Sequence, residues 1–348
     1  MAERKGGSGG LSYRGAGVDL DAAERAKTRL KELVASTRDQ NTLSELGSFG
    51  GLYAVPDDTR SPVLVASADG VGTKLKVAFL AERHDTVGRD LVNHCVNDIL
   101  VQGAKPLFFL DYLAVGAMDE ARVTQVVSGV ALGCRDNGCA LLGGETAQMP
   151  DFYAQGEYDL AGFIVGVVER DRVLDGSAVR AGDALVALGS TGLHTNGYTL
   201  ARQIVFDRLG LGVGDPFPGT GRTVAEELLA PHRSYLKPLL PLLEAKRIHA
   251  LAHITGGGIP GNLPRVLPEG LGAVVHRPSW DPPAVFRSLA RAGGVATQEM
   301  DRVFNMGVGM IAIVPPEDAD RVVHDLTAAG ETAWPLGEVE RGQGVRYA

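Results

Sequence analysis

Residues able to do chemistry fall in short polar stretches that follow apolar runs. Asp69-Gly70-Val71-Gly72-Thr73-Lys74 comes soon after the apolar run Pro62–Ala66. Its two glycines let backbone approach a ligand closely, and Thr73 and Lys74 can reach phosphate oxygens. It is not the eight-residue Walker A pattern, and Asp-Gly is also a common hairpin-turn signal. Gly143-Gly144-Glu145-Thr146 shares that ambiguity. From Gly88 to Gln102, Leu91, Val92, Cys95, Val96, Ile99 and Leu100 cover most of a helix, while Asp90, Asn93, His94, Asn97 and Asp98 form one polar stripe at spacings of three and four. Buried without Lys or Arg among them, such groups need a partner, and a divalent cation held by Asp98 and Asn97 with bound phosphates would supply one. A capped N-terminus at Asp90 above a solvated edge accounts for the stripe equally well.

Gly189–Gly197 sets Ser190, Thr191, Thr195 and Asn196 beside His194 in a loop that opens a helix, an arrangement suited to holding an anion on free N–H groups. So many hydroxyl and amide groups around one histidine favour a site over a plain helix cap. His253-Ile254-Thr255-Gly256-Gly257-Gly258 ends another apolar run with polar side chains and free amides. Gly256–Gly261 fits G-x-G-x-x-G, a weak match with Pro260 inside it and no dinucleotide fold around it. His84, His232, His249, His276 and His324 read as surface or structural residues. No Gly-x-Ser-x-Gly elbow, His-Glu-x-x-His or Cys-His nucleophile arrangement stands out, which argues against covalent catalysis.

The elements that must position these groups follow from periodicity. Leu20 to about Thr37 is an amphipathic helix, Pro62–Ala66 a strand, Gly88–Gln102 and Glu120–Arg135 helices, Pro106–Tyr112 a buried strand, Ala140–Leu142 a short strand stopping at Gly143, and Tyr158–Glu169 a strand. After a polar stretch at 171–183 come strands at 184–188, 250–254, 273–276 and 309–314, with helices at 198–209, 223–230, 233–245 and 283–292 and a Gly/Pro-rich surface excursion at 211–221. Strands alternating with helices on both sides of 171–183 imply an α/β (α+β) chain of two α/β domains, 12–170 and 171–348, behind a flexible arm at 1–11. The length of 348 residues suits two domains, and 46 glycines suit many tight loops. A net charge of −8 argues against a nucleic-acid or anionic-membrane surface. Three cysteines without Cys-x-x-Cys spacing suggest neither a disulfide framework nor a zinc site. With no apolar stretch long enough to span a bilayer and no secretory signal, a cytoplasmic protein is expected.

Together the stretches Ser12–Asp19, Asp69–Lys74, Val96–Asp98 with Gly103–Tyr112, Gly143–Pro150, His194–Tyr198, His253–Gly258 and Phe304–Met310 resemble the phosphoribosylformylglycinamidine cyclo-ligase (aminoimidazole ribonucleotide synthetase) family of purine biosynthesis, in that family's order. The resemblance implies ATP-dependent closure of formylglycinamidine ribonucleotide to aminoimidazole ribonucleotide, with ADP and phosphate released. It implies a homodimer whose N-terminal strands join across the interface into a barrel with ATP bound near it, the N-terminal domain serving ATP binding and dimerisation. Carried over residue by residue, it implies magnesium on Asp69 and Asp98, with Asn97 supporting and Glu145 and His253 as further ligands, and leaves room for a monovalent cation. ATP would lie on Lys31, Gly50, Asp69, Gly70, Gly72, Thr73 and Lys74. His194, Lys74 and Asp98 would be catalytic, with His194 as acid, base or oxyanion donor. Ser190, Thr191, His194, Asn196 and Thr255 would hold the substrate. Gln148, where many members carry Glu, and His232 and Ser234, in place of the usual Pro-Thr-x-Ile-Tyr, depart from the family pattern. The alternatives are a sibling ATP-dependent synthetase or kinase of the same architecture, and a non-catalytic nucleotide-binding subunit.

Overall fold

The computed structural model describes residues 12–348, so the arm expected at 1–11 lies outside the described residues. The first domain runs α1 (Leu20–Ala35), β1 (Pro62–Gly70), α2 (Lys74–Ala81), α3 (Val87–Leu100), β2 (Lys105–Val115), α4 (Glu120–Asn137), β3 (Ala140–Gln148) and β4 (Tyr158–Glu169). Its four strands are ordered β1-β4-β2-β3, with β4 antiparallel to β1 and β2, and β2 parallel to β3. Asp19 caps α1 by accepting from Ala22 N–H, and Asp119 caps α4 by accepting from Ala121 and Arg122 N–H. Helices α3 and α4 cover one face of the sheet and meet without side chains at Gly88 and Gly129. A Cβ on Gly88 would strike the α4 backbone at Val126 and Val130.

Register decides which face each residue uses. Asp69, Gly162, Asp111 and Gly144 form one row on the helix-covered side, and Gly70, Ala161, Tyr112 and Glu145 form the next row on the opposite side. That second face carries Leu64, Ala66, Ala68, Phe108, Leu110, Tyr112, Phe163 and Val165, of which Leu64, Tyr112 and Phe163 are exposed large apolar groups. Among the described residues Tyr53 packs on Phe108 at one side of this face, and no helix or strand covers Leu64, Tyr112 and Phe163.

The second domain contains β5 (Ala184–Gly189), α5 (Tyr198–Arg202), α6 (Val224–Leu228), α7 (Leu236–Glu244), β6 (Ala250–His253), α8 (Gly258–Asn262), β7 (Leu271–Val275), α9 (Ala284–Gly293), α10 (Thr297–Val303), β8 (Val308–Val314), α11 (Ala319–Ala328), β9 (Ala333–Arg341) and β10 (Gly344–Tyr347). Its sheet is ordered β10-β7-β9-β5-β8-β6 and is antiparallel except for β10 with β7. Both faces are buried: Val186 and Leu188 of β5 join the main core, which extends into the first domain, while Leu185 and Ala187 join a second cluster beneath the sheet.

Several elements differ from the periodicity reading. β3 does not stop at Gly143 but runs to Gln148, because pairing with β2 continues through Glu145 to Gln148. The helix from Tyr198 becomes a π-helix over Gln203–Arg208. The C-terminal α11, β9 and β10 have no counterpart in the reading, since β9 carries a proline and a glycine and β10 is four residues long.

Candidate active site

The polar stripe of α3 faces the second domain. Asp90 Oδ1 accepts from His232 N–H at 2.6 Å, and Asn93 Nδ2 donates to His232 O at 2.7 Å. Asn97 accepts from Tyr235 N–H at 3.0 Å and donates to Arg233 O at 2.8 Å. The stripe is therefore neither a solvated edge nor mainly a cation cage, because its amides clamp residues 232–235. Asn97, expected to support magnesium, is fully buried with its amide spent on this clamp.

Lys74 departs from the expectation of a phosphate-cradling lysine. Its side chain is fully buried, with Nζ 2.8 Å from Asp90 Oδ2, and it donates to Ala230 O at 2.8 Å and His194 O at 3.0 Å. An ammonium has three N–H donors, and all three are used inside the protein. Burial pushes the Lys74 pKa down and the Asp90 pKa up, each opposed by the other's charge. The partner absent from the helical stripe is thus supplied by the start of α2.

Asp69 and Asp98 converge where β1 and α3 meet the second domain. Asp69 Oδ2 lies 2.6 Å and Asp98 Oδ2 3.8 Å from His94 Nε2. Ser67 donates to Asp98 Oδ2 at 3.0 Å, and His253 Nδ1 lies 2.8 Å from Asp98 Oδ1. Burial opposes ionisation of both carboxyls, yet His94 at Asp69, and His253 with His94 at Asp98, outweigh it and hold both below the usual range. Burial likewise works against a charge on His94, but the two carboxylates prevail and raise its pKa. Hard oxygen donors gathered at one point and still partly exposed, at 38% and 27% of their side chains, fit a magnesium ion. His253 meets Asp98 through nitrogen, which makes it the partner of a carboxylate rather than a magnesium ligand.

His194 is 1% exposed and holds a left-handed φ of 60°. Its Nε2 accepts from Thr191 N–H at 3.2 Å, and its ring stacks on His232 with centroids 4.0 Å apart. Gly309 makes room for it: a Cβ there would fall 2.7 Å from His194 Cε1 and collide with Tyr235 Oη. Burial and neighbouring His253 and Lys74 hold the His194 pKa well below its ordinary value, which favours the neutral imidazole. His232, read from sequence as peripheral, is 1% exposed at the centre of this group.

Around these residues lie the predicted loops. Thr73 Oγ1 is 3.0 Å from Thr199 Oγ1 across the seam, and His94 Nδ1 is 2.7 Å from Thr195 Oγ1. Ser190 Oγ lies 2.9 Å from Gly192 O and 3.0 Å from Asn305 Oδ1, sharing its one hydrogen between them, so it builds the loop instead of facing a ligand. Thr191 donates to Pro231 O at 2.6 Å. Thr255 donates to Asn262 Oδ1 at 3.3 Å. Asn196 and Thr255 stay partly exposed at the cleft, as do Gly72 and Thr73 more fully. Lys31, Gly50 and Glu145 are exposed elsewhere. Glu145 lies three strands from Gly70, about 14 Å across the sheet, and on the opposite face from Asp69. Within one chain it therefore cannot share a metal with Asp69.

Sequence reasoning missed His94, His232, Asp90 and Asn305 as parts of the site. The stripe itself contained His94 and Asp90, and Asn305 stood in one of the matching stretches. His232 offered no periodic signal, since it lies in the irregular segment between α6 and α7.

Residues 51–168 match the family description "AIR synthase related protein, N-terminal domain", and residues 180–348 match "AIR synthase related protein, C-terminal domain". A phosphoribosylformylglycinamidine cyclo-ligase of Trichlorobacter lovleyi is 53% identical over 330 residues, covering 94% of this chain and 95% of the relative. One from Desulfitobacterium hafniense is 52% identical over 340 residues, covering 97% and 99%. Among solved structures, thiamine-monophosphate kinase from Stenotrophomonas maltophilia superposes with a TM-score of 0.68 at 17% identity, covering 95% of this chain and 96% of that one. The hydrogenase maturation protein HypE in complex with ATP gives a TM-score of 0.66 at 20% identity, covering 96% and 88%. At these identities the structural likeness speaks to the fold.

Proposed function

The chain belongs to the phosphoribosylformylglycinamidine cyclo-ligase family, and from that premise we propose how the seam between its domains carries out the ATP-dependent closure of formylglycinamidine ribonucleotide to aminoimidazole ribonucleotide. The observation that carries the reading is the convergence of Asp69 and Asp98 beside the Gly70–Thr73 turn, open to the cleft. The amide oxygen of the substrate is a poor leaving group, so it is first phosphorylated by ATP. The amidine nitrogen of the same molecule then attacks that carbon, and phosphate departs with the former amide oxygen. Asp69 and Asp98 would hold magnesium, which neutralises phosphate charge when bound. The exposed Gly72 backbone and the Thr73 hydroxyl bind the triphosphate, and Asn196 and Thr255 orient the substrate. His94, between the two carboxylates, keeps them ionised and aimed at the cleft. Lys74, Asn97 and neutral His194 act by holding the seam in register, which suits a reaction governed by positioning and charge neutralisation.

We assign residues 12–170 to ATP binding and dimerisation and 171–348 to the C-terminal domain, and place the enzyme in the cytoplasm. Among the described residues no helix is long and apolar enough to cross a membrane. The uncovered apolar face of the first sheet supports a homodimer closed sheet against sheet. A dimer also gives Lys31, Gly50 and Glu145 a route to the nucleotide, since a partner's edge would come beside each sheet edge. The test is phosphate release by purified protein with ATP, with and without formylglycinamidine ribonucleotide, while the aminoimidazole product is followed. One phosphate per ring is expected, with Asp98→Asn folded and reduced by at least about a hundredfold in turnover. ATP binding without product, whatever ribonucleotide is supplied, would send the substrate assignment to a sibling synthetase.

A further inference from the structure

We propose that His232, His253 and His194 form a binding site for a nitrogen-preferring d-block dication such as Zn2+ or Co2+, distinct in donor chemistry from the Asp69–Asp98 pair. The hydrogen-bond network fixes where the ring protons are. Asn97 Oδ1 accepts from Tyr235 N–H at 3.0 Å and Nδ2 donates to Arg233 O at 2.8 Å, so the amide cannot be flipped. Its second amide hydrogen is left for His232 Nε2, 3.2 Å away. His232 Nε2 therefore presents a lone pair, and its proton is on Nδ1, 3.3 Å from Thr195 Oγ1. His253 Nδ1 lies 2.8 Å from Asp98 Oδ1, so that nitrogen carries a proton, and in the neutral ring Nε2 is bare. The two bare Nε2 atoms face each other at 3.2 Å. Two imidazole nitrogens in contact, on rings 1% and 6% exposed, are bridged by a shared proton or by a metal ion, and the geometry around them suits the ion.

Their separation matches the edge of a tetrahedron around a zinc-sized ion, about 3.3 Å for metal–nitrogen bonds of about 2.0–2.1 Å. Asp98 behind His253 is the carboxylate that orients a metal-binding imidazole. His194 supplies a third ring: one nitrogen of each of the three histidines lies within 4.8 Å of the others. Its Nδ1, which carries the ring proton while Nε2 accepts from Thr191 N–H, is buried without a hydrogen-bond partner, so no bond holds that proton in place against the ion. The 3.2 Å contacts from Thr191 N–H to His194 and from Asn97 to His232 are the ones that yield when the ion enters. Imidazole donors select zinc, cobalt, nickel or copper, whereas magnesium stays with oxygen.

The test titrates tag-free, full-length protein with Co2+ in excess Mg2+ and reads the visible ligand-field bands. Strong bands saturating at one ion per chain, abolished by Zn2+ and unmoved by Mg2+, are expected. In His232→Thr the affinity should fall at least about tenfold. Weak octahedral bands displaced by Mg2+, or binding unchanged in His232→Thr, would place the ion on the carboxylates and overturn the proposal, as would no binding. Should His232→Thr fail to fold, pulsed EPR of the Cu2+-loaded wild type decides: two or more coupled imidazoles support the site, and one or none overturns it. Either result leaves the cyclo-ligase reading untouched.

Discussion

Replacing Lys74 with Met tests whether this lysine holds the seam or grips phosphate. In the structure Nζ is 2.8 Å from Asp90 Oδ2 and donates to two backbone carbonyls, with neither side chain of the pair exposed. Lys74→Met leaves the Asp90 carboxylate buried with the His232 N–H as its remaining partner. Breaking a buried pair from one side costs about 3–5 kcal/mol. For 348 residues unfolding together, the unfolding entropy of about 0.7 kcal/mol/K converts this to a loss of about 4–7 °C in Tm. Lys74→Met/Asp90→Asn should recover most of the loss, because the amide is neutral and its oxygen still accepts from His232 N–H. Asp90→Leu in its place should recover less, leaving that N–H buried and unpaired at about 1–3 kcal/mol. Thermal unfolding by circular dichroism gives the midpoints, and initial rates give the KM for ATP. A Tm within about 1 °C of wild type together with a large rise in KM for ATP would refute this reasoning and return Lys74 to the nucleotide.

On the uncovered sheet face, Leu64→Glu or Phe163→Glu should convert a dimer into a chain of 36.6 kDa by light scattering; an unchanged dimer would place the interface elsewhere. Gly88→Ala puts a methyl group against the α4 backbone and should cost about 1–3 kcal/mol in urea unfolding. Burial pushes Asp111 up to about 7. A carboxyl whose folded pKa is raised binds its proton more tightly in the folded state, so its contribution to stability falls as pH rises from the unfolded pKa near 4 to the folded value. The Tm advantage of Asp111→Asn over wild type should therefore grow between pH 4.5 and 8 and then level off, and a pH-independent difference would contradict the burial argument.

Much of the first domain is legible because its signals are local. The apolar stripe of α1 and the uninterrupted Tyr158–Glu169 strand follow from periodicity, and the loops after β1, β5 and β6 announce themselves through glycine beside polar residues. Where local signals conflict, the reading fails. Gly143-Gly144 looks like a stop, but pairing with β2 carries β3 through it, a decision made by a neighbour distant in sequence. The last two strands are short or interrupted and gain their stability from the sheet they join.

By itself the sequence determined the two-part α/β plan and the residue types that can bind phosphate and metal, because spacing and composition act within one element. It also carried the family, through stretches of side chains in a set order. Only the tertiary structure decided which polar groups meet. Asp90 and Lys74 begin different helices and pair because α2 and α3 pack together, and that pairing takes the lysine away from solvent. His232 lies in an irregular segment and becomes central because Asp90, Asn93 and Asn97 clamp that segment from α3. Glu145 loses its place beside Asp69 because strand register puts the two on opposite faces. A side chain's protonation and reach depend on what desolvates it and what pairs with it, and those partners are brought together by folding rather than by spacing along the chain.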